Sequence, residues 1–105
     1  MPMMVVIVEF ELRAGAESQF EIALKHMQEQ VKRYDGFLGE APCCSLADEK
    51  KFVTLFYWRD REAMKAWREN PEHVKTQQLC REKIFAWYKI RVCEIERQYG
   101  WNRSE

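Results

Sequence analysis

The sequence predicts an α+β domain, a four-stranded antiparallel sheet with helices on one face. Three observations carry this reading. Residues 51–58, KFVTLFYW, form a strand with Phe52, Thr54, Phe56 and Trp58 on one face and Val53, Leu55 and Tyr57 on the other. A strand that is apolar on both faces must be covered on both sides. The elements run strand, helix, strand, strand, helix, helix, strand, for which a ferredoxin-like layering of helices on a sheet is the economical packing. Finally, 105 residues suffice for one compact domain, so residues 1–105 are expected to form a single domain with a C-terminal tail from about residue 99.

Met4 to Leu12 alternates, with Val6, Val8, Phe10 and Leu12 on one face. The other face begins apolar with Val5 and Ile7 and turns acidic at Glu9 and Glu11. Arg13-Ala14-Gly15 is the turn. Ala16 to Tyr34 carries a helical stripe, since Phe20, Leu24, Met27, Val31 and Tyr34 recur at four- and three-residue steps. Asp35-Gly36 supplies the stop, the glycine taking a left-handed cap. His26 lies about 100° from Met27, off the stripe, and reads as a surface or rim residue.

Phe37 to Leu46 is a weaker strand, in which Pro42 cannot donate to a ladder and so marks an edge or a bulge. Asp48-Glu49-Lys50 turns the chain into the central strand. Asp60 can N-cap a short helix whose inner edge is Ala63 and Trp67. Asn70 caps the next helix, with Pro71 at the first helical position, where its missing N–H costs nothing. That helix is expected to reach about Phe85, with His73, Gln77, Cys80 and Ile84 inward and Val74 beside them. Tyr88 to Arg97 alternates as the last strand. Its apolar phase slips between Val92 and Ile95, which predicts a bulge near Cys93-Glu94. Trp101, in an otherwise polar tail, is expected to dock onto something.

Seventeen basic and seventeen acidic residues leave no formal net charge, so nothing draws the chain to nucleic acid or an anionic membrane. No segment is long enough to span a bilayer. The amino terminus, MPMMVVIVEF, reads as a strand rather than a signal peptide. Cys43, Cys44, Cys80 and Cys93 show no paired spacing and read as free thiols, so the expected location is the cytoplasm. With His26 and His73 as the only imidazoles, a zinc site is not expected. Aromatic residues make up 13% of the chain, four of them Trp, which is enough flat apolar surface to fill a core, the default reading, to seal an interface or to line a pocket for a flat ligand.

One sheet face remains after the helices have covered the other. Val5, Ile7, Val53, Leu55 and Tyr57, or else the alternate set, lie on it, and a soluble monomer does not leave such a patch bare. Two copies packed sheet to sheet with C2 symmetry are the simplest closure, so a homodimer is expected.

The run Phe56-Tyr57-Trp58, then Ala63 to Trp67, then Asn70-Pro71-Glu72-His73, followed by a strand-forming end from Tyr88 to Gly100, resembles the antibiotic biosynthesis monooxygenase family. The resemblance covers nearly the whole chain. It implies a dimeric α+β barrel, two sheets closed on each other with helices outside, and in one group of members a cofactor-independent oxygenation of polycyclic phenols or quinols. There the substrate is its own reductant: a base removes a phenolic proton and the electron-rich anion reacts with molecular oxygen. On that reading the partners are a small aromatic substrate and oxygen, with no cofactor. His73 is the candidate base, Trp67 a pocket wall, and Asn70 an amide donor. Each also has a structural reading: Trp67 as core, Asn70 as helix cap, and His73 as a satisfied polar residue beside that cap. The resemblance leaves two alternatives, a haem-binding or haem-degrading monooxygenase and a non-catalytic dimeric module that binds a small molecule. Haem-degrading relatives carry an Asn in the first strand and a ligating His ten residues beyond the helix-two Trp. Here Val8, Glu9 and Phe10 occupy the first place and Gln77 the second, so His73 would have to swing inward by about one helical turn to substitute.

Overall fold

A computed structural model describes residues 2–103. Strand β1 is Met4–Leu12, helix α1 Glu17–Val31, β2 Phe37–Cys44, β3 Phe52–Trp58, α2 Arg61–Arg68, α3 Pro71–Leu79 and β4 Phe85–Glu94, with a π-helical turn at Cys80–Ile84 between α3 and β4. The four strands form one antiparallel sheet in the order β2-β3-β1-β4. Pro42 therefore sits on an edge strand, where its missing donor does no harm. The predicted element order holds throughout, as does the α+β architecture.

Alternation along the two central strands sorts their residues as the sequence predicts. Met4, Val6, Phe56 and Trp58 face the helices and pack with Val31, Ala63, Met64 and Trp67. At the other end Phe10 stacks with Phe52 and Phe85, ring centroids 5.4 and 4.6 Å apart, and Phe20 of α1 closes over them. Val5, Ile7, Val53, Leu55 and Tyr57 pair across β1 and β3 on the opposite face, which none of the helices covers. Glu9 shares that face and takes ion pairs from Arg91 at 3.0 Å and Lys51 at 3.6 Å.

Five expectations are corrected. Helix α1 stops at Val31, and Tyr34 lies in the turn beyond it. Helix α3 stops at Leu79, because the chain widens into the π turn and Phe85 already begins β4. Val74, placed beside the inward line, is 38% exposed. No bulge falls near Cys93-Glu94: the β1–β4 register is unbroken from Met4↔Glu94 to Glu11↔Trp87 and shifts only between Glu11 and Leu12. The slip in apolar phase is one of side-chain identity, Tyr88, Ile90 and Val92 facing the helix side and Cys93 the other. Lastly, Trp101 is 76% exposed, with the Arg103 guanidinium 5.2 Å from its ring centre, and docks onto nothing within the described residues. Of the predicted tail, residues 104–105 lie outside the described residues, as does Met1 in the amino-terminal stretch.

Gly36 fixes the approach of α2 to the end of α1. Its φ is +89°, and a Cβ there would sit 2.5 Å from the Cβ of Ala63. Its carbonyl accepts from the Arg59 amide at 2.7 Å, and Arg59 grips the neighbouring Asp35 carboxylate at 3.1 and 3.2 Å. Gly15, with φ +81°, has nothing within 4 Å of that position. Urea unfolding is therefore expected to separate two costs. Gly15→Ala should lose about 1 kcal/mol from backbone strain alone, and Gly36→Ala about 3 kcal/mol from strain plus a displaced α2. Equal losses would show that the Ala63 contact is not limiting.

Candidate active site

Asn70 organises the site. Helix α2 ends at Arg68, and the Asn70 amide closes its last turn onto the Trp67 carbonyl at 3.1 Å. The Asn70 Oδ1 then accepts from the amides of Glu72 at 2.9 Å and His73 at 3.1 Å, starting α3 with Pro71 in its first turn. This break redirects the chain so that the His73 imidazole stacks on the Trp67 indole, centroids 4.3 Å apart at 30°. Asn70 Nδ2 donates to the Tyr34 hydroxyl, and the Tyr34 ring meets Trp67 edge-on at 5.0 Å. Four residues from three segments thus hold one another.

Beside this cluster lies a cavity of about 370 Å³ between the sheet and the helices. Val6, Val8, Phe10, Thr54, Phe56 and Trp58 form its floor, and Phe20, Leu24 and Met27 of α1 part of its roof. His73, Thr76, Gln77 and Cys80 line one wall at steps of three, one and three, which puts them on a single helix face. The fourth side is β4, where Tyr88, Ile90 and Val92 are 39%, 42% and 46% exposed. Strand β4 is a sheet edge, and the cavity opens across it.

Trp67 is both core and cavity wall, being 6% exposed and packed with Trp58 and Met64. His73 lines the cavity without any inward swing. Its Nδ1 is buried with no hydrogen-bond partner, and burial pushes its pKa down to about 4. The ring is accordingly neutral across the neutral range. Asn70 does not line the cavity, and both ends of its amide are engaged, by the helix start and by Tyr34. Gln77 stands on the α3 wall. The Cys80 thiol is buried beside it, and desolvation raises its pKa, which disfavours the nucleophilic thiolate. No cluster of three or more His, Cys, Asp or Glu that could hold a metal occurs among the described residues.

The sequence profile described as "Antibiotic biosynthesis monooxygenase" matches residues 3–79. The chain belongs to the antibiotic biosynthesis monooxygenase family. A curated relative, the jasmonate monooxygenase of Pyricularia oryzae, is 29% identical over 91 residues, which is 84% of this chain. The chain spans only 42% of that relative's length. Among solved structures, a putative antibiotic biosynthesis monooxygenase from Deinococcus radiodurans superposes with a TM-score of 0.81 at 15% identity, over 95% of this chain and 99% of the other. SnoaB, a cofactor-independent oxygenase from Streptomyces nogalater, gives 0.77 at 16% identity, over 94% and 97%. At such identities these two establish the family's fold, a four-stranded antiparallel sheet with three helices.

Sequence reasoning placed Trp67, Asn70 and His73 together but missed Tyr34. Its only signal was a place on the α1 stripe, which carries no hint of a hydroxyl 36 residues from its amide donor. It also missed Thr76, whose hydroxyl donates to the Glu72 carbonyl at 3.1 Å while the residue lines the cavity.

The buried imidazole makes stability depend on pH. An unfolded His73 takes up a proton near its ordinary value of 6.5, whereas the folded one resists protonation until about 4. Folded-state stability is therefore full above 6.5 and falls as pH drops through the window from 6.5 to 4. At about 1.4 kcal/mol per unit the loss approaches ~3 kcal/mol. His73→Phe, which keeps a ring against Trp67, should lose correspondingly less than wild type in urea titrations between pH 7 and 4. Parallel losses in both proteins would place the acid sensitivity elsewhere.

Proposed function

We propose that this domain is a cofactor-independent monooxygenase acting on a small aromatic phenol or quinol with molecular oxygen. The observation that carries the reading is a neutral, cavity-lining imidazole at the wall of an aromatic-rich cavity. Family membership and the likeness to a relative named as a monooxygenase support the reaction class.

In this reading His73 accepts the phenolic proton. Nδ1 is shut away, so Nε2 is the nitrogen that meets the substrate. Trp67 holds the imidazole plane, and Asn70 acts behind both as a positioning residue through Tyr34 and the helix start. The phenolate passes electrons to oxygen and a carbon–oxygen bond forms at the activated ring carbon. Loss of that carbon's proton with O–O cleavage leaves a carbonyl and releases water. One oxygen atom enters the product, the other leaves as water, and the substrate supplies both electrons. The apolar floor keeps bulk water from the anion.

Oxygen uptake with anthrol- or quinol-type compounds tests this. Wild type should keep its rate from pH 8 down to about 5 and lose it only as His73 protonates near 4, and His73→Ala should lose about 10²-fold or more. Equal rates in wild type and His73→Ala would remove the assigned role.

The domain works as a homodimer in the same proposal. The supporting observation is the uncovered sheet face of Val5, Ile7, Val53, Leu55 and Tyr57, which carries in Glu9, Lys51 and Arg91 its own paired charges. Light scattering should give twice the 12.7 kDa chain mass, and Ile7→Asp, which puts an unpaired charge on that face, should give the monomer. A monomeric wild type at micromolar concentration would overturn the interface.

A further inference from the structure

The cavity wall carries a charge asymmetry that proton abstraction and oxygen chemistry do not use. We propose that the substrate is an amphipathic carboxylate, its apolar ring system in the cavity and its carboxylate held by Arg68 and Arg81. The proposal rests on the oxygenase reading for the identity of the site and adds the substrate's second functional group.

Across the chain acidic and basic residues balance, seventeen of each, yet the cavity lining includes two arginines, both solvent-exposed, and no Asp or Glu. Three arginines elsewhere hold carboxylates, Arg59 to Asp35 and Asp60, Arg61 to Glu94 and Arg91 to Glu9, and what sets Arg68 and Arg81 apart is their place in the cavity lining. Among the described residues neither Arg68 nor Arg81 takes part in an ion pair. Arg68 stands in the last turn of α2, where a cation complements the helix dipole, but the dipole does not require it to line the cavity. Arg81 lies in the π turn, the irregular widening at the end of α3. The backbone of that turn is fastened from outside: Arg13 donates from Nη2 to the Arg81 carbonyl at 3.3 Å and from Nε to the Phe85 carbonyl at 3.0 Å. One arginine's backbone is thus held by another, at the rim of an apolar cavity, with its own head group unpaired.

Guanidinium groups match a carboxylate with two parallel hydrogen bonds and are weakly hydrated, so they bind such an anion at modest desolvation cost. Two of them without a counter-ion make the rim locally positive and draw an anionic ligand to it. The rest of the lining, aromatic and aliphatic, suits the opposite end of the same molecule. A neutral phenol would fill the cavity and leave both arginines unused.

Calorimetry on the full chain with 2-naphthoate and its neutral isostere 2-naphthamide tests the proposal without requiring turnover. Wild type should bind the carboxylate about tenfold more tightly than the amide. The double variant Arg68→Gln/Arg81→Gln should lose that preference by weakening the carboxylate alone, and Lys32→Gln/Lys50→Gln, an equal loss of two charges at residues outside the lining, should keep it. Equal binding of both probes by wild type, a preference that survives in the double variant, or no saturable binding of either probe would overturn the proposal. A carboxylate preference without oxygen uptake on any phenol would leave this inference standing and remove the oxygenase reading. Oxygen uptake on neutral phenols by a protein with no such preference would do the reverse.

Discussion

A central strand pair that is apolar on both faces cannot be satisfied by a single layer of helices, and the rest of the molecule follows from that constraint. Strands β1 and β3 pair over seven residues, and alternation alone sends Val6, Phe56 and Trp58 to one side and Val5, Leu55 and Tyr57 to the other. Three helices cover the first side. At roughly 25 cal/mol per Å² of apolar surface, burying the second side would add stability, and that side is the face on which the proposed dimer rests. The same constraint keeps the cavity on the helix side, since only there do side chains from several elements converge.

The helix layer is incomplete, and its break is where the site forms. A single helix from Arg61 to Leu79 would carry His73 about 600° around the axis from Trp67 at 100° per residue, well away from its face. Asn70 and Pro71 interrupt it instead. Proline removes one donor, Asn70 replaces what the new helix start lacks, and the restart places the two rings in contact. Asn70 spends its whole amide in doing this. That is why it holds the geometry from behind while His73 and Trp67 form cavity wall.

Much of this could be read from the sequence because it rests on local rules. The period of two fixed the faces of β1 and β3, Asp60 and Asn70 were identifiable as caps by type and position, and the inward stripe supplied His73, Gln77 and Cys80 to one wall of the cavity, with Ile84 in the core behind it. What escaped depended on partners far apart in sequence. Tyr34 meets Asn70 across 36 residues, and Arg13 meets Arg81 across 68. Spacing has no term for such contacts. The π turn escaped for another reason: Cys80 to Ile84 continues an apolar helical period, and periodicity does not distinguish four-residue from five-residue hydrogen bonding. The misplaced bulge shows the same limit from the opposite side, a change in side-chain pattern read as a change in backbone.

The imidazole's low basicity constrains how an oxygenase could use it. A phenol with a pKa near 10 lies about 6 units above a base near 4, an uphill transfer of roughly 8 kcal/mol if the two charges stay apart. They do not stay apart. A phenolate and an imidazolium about 4 Å apart attract by about 4 kcal/mol at an effective dielectric constant near 20. What remains is a few kcal/mol, small beside the roughly 17 kcal/mol barrier of a reaction turning over about once per second. In the proposed reaction His73 rests as the neutral imidazole, with one ring nitrogen unprotonated, and takes its second proton only as a substrate anion forms beside it. In such a site the resting complex contains a neutral phenol, and oxygen meets the electron-rich anion only transiently, inside the cavity.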